Sequence, residues 1–411
     1  MIADELWMKH FIYSLAKISE PCMHGIQRLS YTEEYRKGVD FVSGEMKNLK
    51  MDTYEDFVGN LVGVLKGSDE KKPAIITGSH LDTVRCGGAF DGIAGIACAM
   101  ETVRMIKKSG VPLKHTLKVL ATIEEEGTCF GMVTLGSSFF TGKLDISELK
   151  KYRCGEGGNT FEQILSNYRK CREAYVCREV LEPIRAFIEI HGEQGPVLEN
   201  RGIQTGIVDC ICGIIWMEIS IMGMAGHSGT VPMNERKDAG IAACEFILRL
   251  NRMVTEKYNG KAVVTAGKIH FDPGSANCIP GRSVFSLDIR SGNDEILQNI
   301  SDYTEFIKKS IEEDGFLVTI QEQSRRRPVL MDQKLRLLME KSCEALNITY
   351  IHMDSGAGHD AMVFAEKFPT AMLFLPNRNG ISHHPDEYID EKSLKYGAEV
   401  LYQMLRALDK E

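Results

Sequence analysis

Between Pro73 and Glu126 the chain reads strand, helix, strand, and the second strand runs directly into three glutamates. Ala74 to Gly78 is a short apolar strand, Gly92 to Lys108 has a helical pattern that stops at Gly110, and Thr116 to Ile123 is a second strand ending on Glu124, Glu125 and Glu126. A unit of this kind argues for a parallel α/β sheet, in which ligands bind beyond the carboxyl ends of the strands. Side chains just after those strands are therefore where chemistry is expected.

After Gly213 the pattern changes. Ile214 to Met222 alternates as a strand, Lys237 to Lys257 is helical, Ala262 to Phe271 and Val284 to Arg290 are strands, Glu295 to Glu313 is helical, and Phe316 to Glu322 closes the series. The order βαββαβ is the ferredoxin-like split arrangement. Beyond Arg327 the α/β character returns, with helices over Gln333 to Leu346, His359 to Glu366 and Glu391 to Leu408 around a strand at Ala371 to Leu375. The fold class expected is α/β: a discontinuous catalytic domain, 1–212 and 328–411, interrupted by an inserted domain, 213–327.

Composition removes several functions. The 57 acidic against 49 basic residues leave a formal charge of −8, with the two signs interspersed, so no basic stripe awaits a phosphate backbone and nucleic acid is not expected as a partner. No run of about 18 apolar residues exists to span a bilayer. The first residues, Met1 to Pro21, mix charges with Trp7, Phe11, Leu15 and Ile18 at helical spacing, which reads as a folded amphipathic helix rather than a signal peptide. The 12 cysteines show no C-x-x-C pair and several lie in apolar runs, which suits free thiols in the cytoplasm and gives no Cys-ligated zinc spacing.

Five segments carry His, Asp or Glu where strands should end: Gly78–Val84, Gly87–Ile93, Glu124–Gly127, Glu189–Pro196 and Gly380–Glu387. Imidazole nitrogen and carboxylate oxygen together suit a pair of borderline divalent ions such as zinc. Plainer readings exist for each. His80 would serve as a loop residue, Asp91 as a helix N-cap, and the glutamate run as a solvated turn. Asp82, two residues from His80 in an extended segment, projects to the same side, where its carboxylate would orient the imidazole. Three adjacent carboxylates at a sheet end repel one another unless a cation neutralises them, which favours the metal reading.

Eight segments in fixed order extend the pattern: Ser79–Val84, Gly88–Gly92, Glu124–Gly127, His191–Glu199, Ala225–Met233, Asn277–Pro280, Ser286–Arg290 and Gly380–Glu387. In this order the chain resembles the hydantoinase/carbamoylase branch of the di-metal aminoacylase and aminopeptidase superfamily, which holds N-carbamoyl-L-amino acid hydrolases, beta-ureidopropionases and allantoate amidohydrolases. The resemblance implies two zinc or manganese ions, one held by His80, Asp91 and His191, the other by Asp91, Glu126 and His383, with Asp91 as the bridge. It implies Glu125 as the catalytic acid/base on a water lying between the ions. It gives His227 the task of stabilising the oxyanion from a partner subunit, hence a homodimer joined through the inserted domain. It gives Gln194 and Asn277 hydrogen bonds to substrate, and Arg290 a clamp on the substrate carboxylate, for which a planar fork is suited.

Glu124 matches no role in that pattern, and His359 and Asp360 read as capping or supporting residues. Cys129 stands where many members of the branch have Arg. Trp216 stands where, by the resemblance, carbamoylases carry an aromatic residue and allantoate enzymes tend to carry Arg, although a Trp on an alternating strand is ordinarily core. The activity expected is hydrolysis of a ureido C–N bond in an N-carbamoyl-L-amino acid. Allantoate hydrolysis is the alternative, with an exopeptidase or a non-catalytic binding relative behind it.

Overall fold

The computed structural model describes residues 1–155, 158–169 and 183–410. It divides into two compact units, Met1–Asp209 with Leu330–Met353 and Gly358–Glu411, and Cys210–Val329 with Asp354–Ala357. The return of Asp354–Ala357 to the smaller unit is not visible in the sequence pattern. Two contacts made far along the chain hold it there: Cys212 N donates to Ser355 O at 2.8 Å and Arg290 Nη1 to Gly356 O at 2.7 Å.

In the larger unit the strand Ala74–His80 lies between Leu117–Thr122 and Ile184–Gly192, parallel to both, and Thr370–Leu375 runs parallel to the far side of Ile184–Gly192. These central strands are buried on both faces, which is why their sequences read as nearly continuous apolar runs. The helix Ile93–Ser109 covers one face together with Glu391–Leu408 and Glu5–Ala16. It ends on Gly110, whose φ of 66° supplies the left-handed cap that a side chain would resist. The N-terminal helix is shorter than the amphipathic stretch, starting where Asp4 accepts a hydrogen bond from Trp7 N at 3.0 Å.

In the smaller unit an antiparallel sheet carries the strands in the order Ile269–Asp272, Arg282–Ser291, Gly213–Met222, Leu317–Arg326, with Ala262–Thr265 also paired to Arg282–Ser291. Ile215, Met217, Ile219 and Ile221 alternate inward against the helices Ala239–Tyr258 and Asp294–Glu313. The sequence predicts one strand over Ala262 to Phe271, and the structure breaks it in two. Thr265 faces Asp288 and Ile269 faces Phe285, so the three residues between them on one strand are set against two on the other. The extra residue is a bulge, closed where Ser286 Oγ accepts from Lys268 N at 3.0 Å.

Among the described residues, no helix is long and apolar enough to cross a membrane.

Candidate metal centre

The parallel strands bring the candidate ligands together at their carboxyl ends. His80 ends Ala74–His80, Glu125 and Glu126 follow Leu117–Thr122, His191 lies at the end of Ile184–Gly192, and Asp91 precedes the helix Ile93–Ser109. His383 comes from the loop after Thr370–Leu375, at a φ of 54°. The potential ligand atoms of His80, Asp91 and His191 lie within 4.8 Å of one another, and so do those of Asp91, Glu126 and His383. Asp91 belongs to both groups. Its Oδ1 is 3.4 Å from His191 Nε2 and 3.8 Å from His80 Nε2, and its Oδ2 is 3.2 Å from His383 Nε2.

Main-chain carbonyls fix the two buried imidazoles. His80 Nδ1 is 2.9 Å from the Asp82 carbonyl oxygen and His191 Nδ1 is 3.1 Å from that of Gly192. A proton on Nδ1 leaves the Nε2 lone pair of each ring pointing at the other, 3.4 Å apart, where a shared cation would sit. Here the sequence reading needs correction. The imidazole is oriented by the main chain of Asp82, because the Asp82 carboxylate is spent elsewhere, accepting from Glu125 N and Glu126 N at 3.2 Å each. Asp82 thereby shapes the glutamate turn.

The electrostatics favour a cation. Asp91 Oδ2 and Glu126 Oε1 are buried without an accepted hydrogen bond, although His383 Nε2 stands 3.2 and 3.3 Å from them. Burial pushes Glu125 well above the ordinary carboxylate range, His80 opposing and Glu126, Asp360 and Asp82 adding to it. Burial likewise raises Glu126. The Asp91 and Glu126 carboxylates beside it push His383 up to about 10. Acceptors without donors and carboxylates crowded against their own repulsion are what a divalent ion relieves, so the donor set of nitrogen and oxygen fits such ions.

Gln194 closes over this cluster, its Nε2 lying 3.1 Å from Asp91 Oδ1 and 3.2 Å from Ser382 Oγ, held at a φ of 58° by a hydrogen bond from Gln194 N to Asn377 Oδ1. Glu387 is a residue the sequence reading gave no role. Its Oε2 accepts from Asp91 N at 3.1 Å and its Oε1 from Ser382 Oγ at 2.7 Å, tying Asp91 to the His383 loop. Gly88 has no side chain because a Cβ there would collide with the Glu387 carboxylate. Glu124, also without a role, accepts from Cys129 N and Phe130 N at 2.8 and 2.7 Å and so folds the turn after Glu125 and Glu126. Behind His191, the His359 ring packs at 4.5 Å and Glu189 accepts from Ser79 Oγ and Ala361 N. His359 was read from the sequence as a capping or supporting residue; its contact with His191 depends on strand order, which adjacency in sequence does not give.

His227, Asn277 and Arg290 belong to the smaller unit. His227 and Cys278 are paired across a short antiparallel ladder and Ser228 N donates to Asn277 O at 3.1 Å, which brings His227 and Asn277 side by side, both exposed. Arg290 meets Asp288 with two parallel hydrogen bonds of 2.8 Å each. With Nη1 on Gly356 O, three of the five guanidinium N–H groups are engaged and two remain for another acceptor. Trp216 is not core. It is 48% exposed on the sheet face away from the helices, and its Nε1 donates to Asp288 Oδ2 at 2.9 Å. Trp216, Asp288 and Arg290 line a groove of about 750 Å³ with Lys268 and Ser286.

Comparison with known proteins agrees with this architecture. The chain is 34% identical over 387 residues to the N-carbamoyl-L-amino-acid amidohydrolase of Paenarthrobacter aurescens, covering 94% of each chain. It is 34% identical over 403 residues to the allantoate amidohydrolase of Bacillus subtilis, covering 97% of this chain and 96% of that one. A solved hydantoinase/carbamoylase family amidase from Burkholderia multivorans superposes with a TM-score of 0.92 at 28% identity, covering 100% of this chain and 99% of the other. The model of peptidase family M20/M25/M40 matches residues 76–407, and with the converging His, Asp and Glu side chains of the larger unit, the chain belongs to that family.

Proposed function

We propose that this protein hydrolyses the ureido C–N bond of an N-carbamoyl-L-amino acid, using two divalent cations, zinc or manganese. The observation that carries the reading is the double use of Asp91, which stands within ligand reach of His80 and His191 on one side and of Glu126 and His383 on the other. In this reading His80, Asp91 and His191 hold one ion and Asp91, Glu126 and His383 the other. Bound there, the ions would supply Lewis acidity to the scissile carbonyl and make water a better nucleophile near neutral pH.

The chain's own residues do the rest. Glu125 takes the proton of the attacking water and passes it to the leaving nitrogen; its buried position, which raises its affinity for a proton, suits both halves of that transfer. The C–N bond breaks to give the free amino acid and carbamic acid, which decomposes to ammonia and carbon dioxide. Gln194 and Asn277 bind the ureido and acid portions, His227 stabilises the developing oxyanion from a second copy of the chain, and Arg290 pairs with the substrate carboxylate. A homodimer joined through the smaller unit is part of the proposal.

Allantoate hydrolysis is the second reading, favoured by the identity to the Bacillus subtilis enzyme. Trp216 beside Arg290 favours the first, because it puts an apolar ring in the groove where the second ureido group of allantoate would need hydrogen-bond partners. Turnover of a panel of N-carbamoyl-L-amino acids, beta-ureidopropionate, allantoate and dipeptides by metal-loaded protein, read as ammonia release for the ureido compounds and as free amino acid for the dipeptides, tests the proposal. Turnover of N-carbamoyl-L-amino acids above the others is expected; turnover of dipeptides alone overturns it.

A further inference from the structure

In the larger unit the segment Pro21–Ile26 and the loop from His80 to Asp91 meet edge to edge. Ile26 and Gly87 exchange both main-chain hydrogen bonds, 2.9 Å in each direction, as an isolated antiparallel bridge. The approach is so close that Gly25 has no room for a side chain: at its φ of 88° a Cβ would lie 2.8 Å from the Cys86 carbonyl oxygen. Each segment brings a cysteine to this contact. Cys22 Sγ turns back towards the bridge, 3.1 Å from His24 O and 3.2 Å from Gly25 O, on the side where Gly25 meets the Cys86 carbonyl. Cys86, at a φ of 51°, has its Sγ 4.0 Å from Gln27 Oε1. Both thiols are partly open to solvent, and the hydrolytic chemistry uses neither.

We propose that Cys22 and Cys86 are a reversible disulfide site that pins the segment before Ile26 to the loop leading into Asp91. The two thiols give up two protons and two electrons to an external disulfide such as oxidised glutathione. One S–S bond forms between Cys22 and Cys86, the S–S bond of the oxidant breaks, and two molecules of its thiol leave. A thiol reductant reverses the exchange. Thiols on two segments that a main-chain bridge holds edge to edge are placed to meet with a modest movement of the chain, so position favours the oxidised form. Burial, with the neighbouring Cys86 adding to it, holds the Cys22 thiol above its ordinary range, so thiolate is scarce at neutral pH and bridging is slow, faster as the pH rises.

Cys129 and Cys154 are a second neighbouring pair, with Cys129 held protonated chiefly by burial, so the site must be mapped rather than counted. The purified full chain is incubated with oxidised glutathione at mildly alkaline pH, alkylated, digested and examined by mass spectrometry, with thermal unfolding followed in parallel. A peptide linking Cys22 to Cys86 is expected, together with a higher melting temperature that dithiothreitol returns to its starting value. Cys22→Ser and Cys86→Ser should each remove both effects while leaving ammonia release unchanged, since neither side chain touches the ligand cluster. Recovery of Cys22 only as a glutathione adduct, or of linked peptides that join other cysteines alone, overturns the proposal.

Discussion

Glu125 and Arg290 carry the sharpest tests at the scale of single residues. Glu125→Gln keeps the shape of the turn, because the main-chain hydrogen bonds of Glu125 and Glu126 to Asp82 do not involve the altered group. Metal content by emission spectrometry should therefore be retained while kcat falls by roughly 10²–10⁴-fold, the contribution of a positioned acid/base. Full activity in that variant would place the base elsewhere. Arg290→Lys keeps a positive charge but loses the fork, leaving Asp288 and Gly356 O with one donor group in place of three N–H bonds. A loss of about 1.5–3 kcal/mol is expected from a hydrogen bond to a charged group, read as KM raised by one to two orders of magnitude for a carboxylate-bearing substrate. An unchanged KM would remove the clamp.

At the scale of elements, the site depends on how closely three parallel strands pack. Gly78 sits two residues before His80 in the strand between the other two, and a Cβ there would collide with the carbonyl oxygen of Leu120 on the neighbouring strand. Gly78→Ala should therefore cost about 3 kcal/mol through overpacking, visible as a lower urea midpoint, and should weaken metal retention because His80 moves with the strand. The bulge between Thr265 and Ile269 works in the other sense. It inserts one residue opposite Asp288–Phe285 and bends the strand at the rim of the groove lined by Trp216 and Arg290. Periodicity alone merges the two short strands, because a single extra residue does not disturb an apolar count over ten positions.

For the whole molecule, cations and self-association are the two measurements that matter. Dialysis against a chelator should abolish ammonia release, and zinc or manganese should restore it. Ions that bind the folded chain at a hundred times their Kd stabilise it by about 2.7 kcal/mol, so the same treatment should lower the melting temperature. Sedimentation equilibrium should give a mass of twice the chain if His227 serves a second copy; a monomer with full activity would sink that assignment.

The strand–helix–strand unit from Ala74 to Thr122 and the alternation of the smaller unit were legible in the amino-acid sequence, as was the placement of His80, Asp91, Glu126, His191 and His383 after expected strands, because apolar periodicity is a local property; the strands Asp52–Glu55, Leu61–Leu65, Thr205–Ile211 and Tyr350–Ser355 were not. What Asp82 does was not, since its carboxylate and its carbonyl are equivalent on paper and only the folded turn assigns one to Glu125 and Glu126 and the other to His80. Glu124, Glu387 and Glu189 were likewise indistinguishable from solvated acids until contacts made far along the chain buried them. Trp216 reads as core by alternation, but which face of a sheet receives helices is a question of packing, and here the helices lie on the other side. The sequence by itself determined which groups could bind cations; the tertiary structure decided which of them face one another and which merely hold the others in place, because burial and long-range hydrogen bonding exist only once the chain has closed on itself.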